Sequence, residues 1–188
     1  MIELSDNLTL YHGSYCEVTN PDLSKCSKYK DFGQGFYLTS SLKQAESFSK
    51  ISLTKAVSNG LVEKDKAFGV VTTFKFNPIY PLKTLAYPTA NAEWLHCIVS
   101  HRSKNPSFKA IADSMKSYDV IGGKIANDAT NSTIAAYMSG LFGEIESKSA
   151  DDICISLLLP ERLQDQFCFR TNKALNCLTF IESKKIWL

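Results

Sequence analysis

The sequence predicts a mixed α+β fold in one domain spanning residues 1–188. Two observations carry this reading. Short runs in which apolar residues alternate with period two cluster toward both ends of the chain, and runs with near-helical apolar spacing lie between them. A length of 188 residues suits one domain with a substantial core, because a chain of that size buries well over half of its unfolded surface.

Taken in order, "LTLYHGS" at 8–14 alternates and then meets glycine, so it reads as a strand ending in a turn. Leu8, Leu10 and His12 share one face of that strand, and Thr9, Tyr11 and Gly13 share the other. Residues 15–31 are polar, with Asn20-Pro21 and several lysines, and read as a loop. "GFYLTS" is a short strand in which Tyr37 points away from the core if Phe36 and Leu38 point into it. "SLKQAESFSKISLTKAV" places Leu42, Ala45, Phe48 and Ser52 or Ala56 at near-helical spacing, with Ser40 or Ser41 as cap. "FGVVTTFKFNP" is a strand rich in β-branched and aromatic residues, stopped by Asn77-Pro78. Residues 79–90 read as a proline-punctuated connection, and "NAEWLHCIVSHR" as a helix with Trp94, Ile98 and Leu95 inward. "YDVIGGKIAND" is a strand broken at Gly122-Gly123, and "TNSTIAAYMSGLFG" a helix closed by glycine. Residues 144–152 read as a charged linker, and "ICISLLL" fits helix or strand equally, being too short for periodicity to decide. "QFCFRT" alternates as a strand, "NKALNCL" is a helical turn, and "LTFIES" is a last strand.

Composition narrows the function classes. The net charge of +2 argues neither for nor against a nucleic-acid partner. No apolar run approaches the ~18 residues that span a bilayer, and "MIELSDNLTLYHGS" lacks a secretory pattern, so a cytoplasmic protein without membrane contact is expected. Cys16, Cys26, Cys97, Cys154, Cys168 and Cys177 form no C-x-x-C pair, and His96-Cys97 has no second half at zinc spacing, so reduced cysteines and no metal are expected.

"KYKDFGQGFYLTSS" at 28–41 invites three phosphate-site readings, and context removes each. Asp31-Phe32-Gly33 has only about 30 residues before it, with no H-R-D loop or strand lysine of a kinase. Gly33 and Gly35 precede a strand, and Leu38 stands where a dinucleotide fingerprint needs its third glycine. No G-K-[ST] loop exists in the chain. What remains is a glycine-hinged loop delivering Tyr37.

Together, "LYHGS" and "DFGQGFYLT" resemble the first two NAD-binding motifs of the ADP-ribosyltransferase fold, in the histidine-tyrosine branch that holds diphtheria-type toxins and poly(ADP-ribose) polymerases. More closely, the chain resembles a family of small bacterial ADP-ribosyltransferase-like domains. The ordered motifs are Tyr11 to Ser14, Pro21 to Leu23, Asp31 to Thr39, Gln44-Ala45, Glu93 to Leu95, Tyr118 to Asp128, and Asp165 to Leu175. Each is weak alone; the ordered set spans nearly the whole chain.

The resemblance implies two small packed β-sheets with flanking helices around a cleft that binds NAD as co-substrate. It implies that His12 bonds the adenosine-side ribose, that the Gly13 backbone holds the nicotinamide amide, and that Ser14 supports either contact. It places Tyr37 against the nicotinamide ring, where an electron-rich face meets a cationic one, with Gly35 in the hinge beside it. His12, Tyr37 and Gln166 form the expected catalytic set. Where the best-known members carry a glutamate, this sequence has Gln166, which can bond a ribose hydroxyl but brings no charge. Either glutamine suffices, or Asp165, Glu161 or Asp128 supplies the charge, or NAD is bound without transfer. Asp128 and Asn127 read equally as a turn or helix cap, and Glu93-Trp94 reads as packing. Arg102, Lys104 and Lys109 read as a solvated basic stretch that can also meet phosphates.

The expected function is mono-ADP-ribosyl transfer to RNA, DNA or protein with release of nicotinamide, as a toxin of a toxin-antitoxin or phage-defence system with a neutralising antitoxin. The alternatives are an NAD glycohydrolase or a non-catalytic NAD-binding domain. An RNA 2′-phosphotransferase of the same fold ranks low, since only His96 and His101 remain to line its cleft.

Overall fold

The computed structural model describes residues 3–64, 67–103, 108–126, 128–159 and 163–187. Seven strands run in chain order: β1 (Leu8–Ser14), β2 (Phe36–Leu38), β3 (Gly69–Phe76), β4 (Thr84–Ala86), β5 (Val120–Lys124), β6 (Asp165–Phe169) and β7 (Leu178–Ile186). They form two sheets, one ordered β1-β3-β7 and the other β2-β6-β5-β4. All pairs are antiparallel except β4 with β5. The helices among the described residues are α1 (Leu42–Ser58), α2 (Ala92–Arg102), α3 (Lys109–Ser114), α4 (Asp128–Met138), α5 (Lys148–Leu158) and α6 (Asn172–Leu175). The chain is thus mixed α+β with two small sheets.

The sheets pack face to face. Leu10, Phe74 and Phe76 of the first meet Phe36, Leu38, Phe167 and Phe169 of the second in one cluster, each at most 4 % exposed. Each large apolar side chain buried this way contributes roughly 1.5–3 kcal/mol of transfer free energy. On the far side of the second sheet lies a larger cluster. There Ile121 and Cys168 meet Phe32, Trp94 and Ile98, with Ile134, Tyr137 and Cys154 from the helices beyond. Strand β6 therefore faces both clusters by strict alternation, Phe167 and Phe169 one way and Cys168 the other.

Helix starts follow their local chemistry. Ser41, Asn91, Ser147 and Thr171 each accept the N–H three residues on, at the heads of α1, α2, α5 and α6. Helix α1 lies against the first sheet through Ala45, Ser49, Leu53 and Ala56. The predicted Trp94 packing is observed, since its ring is fully buried and its Nε1 donates to Lys124 O at 2.9 Å.

Two expectations are corrected. Residues 79–90 contain β4, whose three residues are held by parallel pairing to β5 and carry no alternation long enough to read. The charged stretch 144–152 is a linker only to Ser147, where the cap of α5 takes over, and "ICISLLL" completes that helix. Residues 109–117, beyond the elements expected, form α3 and a 3₁₀ turn. Among the described residues, no helix is long and apolar enough to cross a membrane.

Candidate functional site

The two sheets are joined where β1, the edge of one, meets the end of β2, the edge of the other. Tyr11 and Thr39 exchange backbone bonds there, at 2.8 and 3.0 Å. Since Tyr11 turns its N–H and C=O away from β3, alternation turns those of Gly13 the same way, along the edge past the end of this bridge.

His12 sits between these outward-facing residues, half-buried, with its ring 4.4 Å from that of Phe36. Its Nδ1 lies 2.9 Å from Tyr37 O. A carbonyl only accepts, so Nδ1 carries the proton. Burial lowers the His12 pKa, opposed by that carbonyl bond, and so favours the neutral ring. Neutral and protonated at Nδ1, the ring keeps a lone pair on Nε2 as an acceptor.

Gly13 has a reason that sequence did not supply. A Cβ there would stand 2.0 Å from Ala45 O and 2.8 Å from Ser49 N. The space expected for a ligand above its Cα is filled by the backbone of α1, so only its edge N–H and C=O are left to bind. Gly35 is explained likewise: a Cβ would stand 2.4 Å from Cys168 Sγ and 2.8 Å from Phe169 O, so this glycine seats the loop on β6. Ser14 is half-buried with Oγ 3.9 Å from Cys16 Sγ.

Tyr37 follows the alternation: Phe36 and Leu38 are buried between the sheets, and Tyr37 turns to the opposite face. Its hydroxyl donates to Gly33 O at 2.8 Å and accepts from Phe32 N–H at 2.9 Å. Burial raises the phenol well above its ordinary pKa, so the donor proton stays in place. The hydroxyl therefore ties the hinge loop to the strand, and any ligand meets the ring rather than the OH.

Gln166 lies on the same sheet face. Tyr37 pairs with Cys168 in the ladder, and continuing that register sets Gln166 opposite Thr39. Gln166 is 7 % exposed, and its Nε2 donates to Asp31 Oδ2 at 2.7 Å. Asp31, itself 6 % exposed, also takes Ala126 N–H on Oδ2 at 3.0 Å, and on Oδ1 it takes Arg102 Nε at 2.9 Å and Nη2 at 2.5 Å. Arg102 further donates to Ala126 O and Asn131 Oδ1. The reading of Arg102 as a solvated cation is thus corrected; Lys109 is exposed as expected. Asp31 and Arg102 are the residues that sequence reasoning missed. Asp31 stood inside a motif set aside as a false kinase signature, and 71 residues separate it from Arg102.

The auxiliary carboxylates fare differently. Asp165 is half-buried against Lys124, Oδ1 to Nζ 2.9 Å, so its charge is already balanced. Asp128 opens α4, which fits the helix-start reading. Glu161, Asn127 and Lys104 lie outside the described residues.

The remaining histidines and the buried cysteines are accounted for by packing. His96 Nε2 meets the buried Asp151 at 2.9 Å, and Tyr137 OH donates to the same carboxylate, tying α2, α4 and α5 together. His101 donates from Nδ1 to Cys97 O at 2.9 Å, and burial lowers its pKa. Burial pushes the thiols of Cys97 and Cys168 up to about 12 and of Cys154 to about 11, which keeps them unreactive; Cys16 is exposed.

A family model described as "Protein of unknown function (DUF3990)" matches residues 8–180. No curated protein and no solved structure matches the chain.

Proposed function

The chain belongs to the DUF3990 family, and we propose that it is an NAD-dependent mono-ADP-ribosyltransferase acting on an intracellular macromolecule. One observation carries the reading. His12, Tyr37 and Gln166, far apart in sequence, meet where the two sheets join: His12 bonds the backbone of Tyr37, and Tyr37 shares a sheet face with Gln166. The two-sheet arrangement with flanking helices agrees with the ADP-ribosyltransferase fold that the motifs resemble.

The polar groups there suit NAD. The outward N–H and C=O of Gly13 match the acceptor and donor of a carboxamide. The Nε2 lone pair of His12 accepts a ribose hydroxyl, with Ser14 two residues on. The Tyr37 ring offers an electron-rich face to a cationic nicotinamide. In the reaction, the bond between the ribose anomeric carbon and the nicotinamide nitrogen breaks and its electron pair leaves with nicotinamide. A lone pair of the acceptor then bonds that carbon, and the acceptor's proton passes to solvent. Gln166 Oε1 steadies the ribose hydroxyl as positive charge develops on the sugar.

The cellular setting proposed is the cytoplasm, with the protein as the toxin of a toxin-antitoxin or phage-defence system. Gln166, in place of a carboxylate, favours a second reading in which NAD is bound but not turned over.

The test is incubation of the protein with NAD labelled on its adenylate and a cell lysate, with protein, RNA and DNA separated afterwards. Label in one fraction, lost in His12→Ala and Tyr37→Ala, is the expected result. Free ADP-ribose with no labelled macromolecule would make the protein a glycohydrolase. Saturable NAD binding without turnover would leave the binding-domain reading, and no binding at all would end both.

A further inference from the structure

We propose that Asp31 is a positioning residue that orients the Gln166 amide and lends it negative charge, so that Asp31 and Gln166 together replace a catalytic carboxylate. This inference rests on the transferase reading given above. An ionised carboxylate accepts hydrogen bonds and cannot donate them. Facing Asp31 Oδ2 at 2.7 Å, the Gln166 amide must therefore present its NH₂ group. Its Oε1 is turned away from Asp31, and among the described residues no hydrogen bond of the protein occupies it.

The same contact explains why position 166 is not glutamate. A glutamate of equal reach would bring a second buried carboxylate against that of Asp31. The nearby cation is already committed, since Arg102 gives Nε and Nη2 to Asp31 and its other contacts to Ala126 O and Asn131. Two carboxylates that close do not both ionise. Glutamine is the residue that fits: neutral, donating on one side and accepting on the other. The charge sits one amide further from the sugar, and a hydrogen bond from Nε2 to an anion draws electron density onto Oε1, making it a stronger acceptor than a free amide.

Asp31 has four donors around it, from Arg102, Ala126 and Gln166, so each of these bonds is one its carboxylate accepts, and together they fix it in place. A purely structural Asp31 would need Gln166 only as a neutral donor. The proposed role makes a sharper demand: the pair must carry one negative charge, on either partner.

The experiment is a charge exchange in the full chain, comparing Gln166→Glu, Asp31→Asn and the double variant, with kcat and KM for NAD, NAD binding by calorimetry, and thermal unfolding. Asp31→Asn is expected to lose about tenfold or more in kcat; Gln166→Glu, in which two close carboxylates share one proton and one charge, is expected to lose less; and the double variant, which returns the negative charge beside Arg102, is expected to recover to within about threefold of the unaltered protein. Gln166→Met keeps the volume and neutrality but removes the acceptor. It is expected to stay folded and lose kcat while KM for NAD changes less than threefold, roughly half a pK unit of binding. Full activity in Asp31→Asn or Gln166→Met, or a double variant no better than Asp31→Asn, would overturn the positioning role while leaving the transferase reading standing. An unaltered protein that neither binds nor consumes NAD would overturn both.

Discussion

The two sheets are built to different standards. In the first, β7 leaves Thr179, Phe180, Ile181, Glu182, Lys184 and Lys185 exposed, and β1 is an open edge past its single bridge. In the second, β2, β6 and β5 are covered on both faces, by the first sheet on one side and by α2 and the hinge loop on the other. The candidate site draws from both. His12 and Gly13 come from the half-solvated sheet, and Tyr37 and Gln166 from the covered one. Removing the half-buried His12 ring should therefore separate chemistry from stability, whereas removing the buried Asp31 carboxylate beside β6 should not.

The strongest challenge to that contrast is Asp31→Ala. It strands a half-buried Arg102 guanidinium and removes the acceptor of Gln166 and Ala126, so a loss of about 3–5 kcal/mol is expected in urea unfolding. A loss below about 1 kcal/mol would mean that the covered side is no more demanding than the rim. Gly13→Ala comes next. The new methyl meets the backbone of α1 rather than a movable side chain, so about 1–3 kcal/mol of overpacking is expected, with an unfolding midpoint shifted accordingly.

Acidification gives the third comparison. Burial depresses the pKa of both His12 and His101 below the ordinary 6.5, so between those values the unfolded chain binds more protons than the folded one. Their contribution to stability is complete above about pH 6.5 and is lost as pH falls toward the depressed values. Urea midpoints should therefore drop between pH 7 and pH 5, and His101→Gln should flatten that slope. An unchanged slope would remove His101 from the account. His12→Ala follows: NAD binding should fall at least about tenfold while the unfolding free energy changes by no more than about 1 kcal/mol. A protein that unfolds outright would erase the distinction between the two sides. Smallest of all, Lys184→Ala on the exposed face removes an ion pair with Glu182 and should leave the urea midpoint unchanged in the same assay.

Local pattern was enough for much of this molecule. Alternation over "LTLYHGS" and "GFYLTS" placed Leu10, Phe36 and Leu38 in the core and turned Tyr37 to the other face, because a strand has one period and a half-buried strand must obey it. Ser40-Ser41 announced the start of α1 because an N-cap acts over three residues, and the structure puts the cap at Ser41. What pattern missed was short or shared between distant segments. Strand β4 exists through its pairing with β5, and α5 starts in a charged stretch where period and polarity disagree. The roles of Gly13 and Gly35 needed the position of α1 and β6 above them. The Asp31–Arg102–Gln166 contact joins residues 71 and 135 positions apart, and no local period spans such distances. Sequence by itself determined which strand residues turn inward and which side chains are candidates for the chemistry. Tertiary structure alone decided which of those side chains touch, because hydrogen bonding and charge pairing depend on distance in space, and only packing brings these strands together.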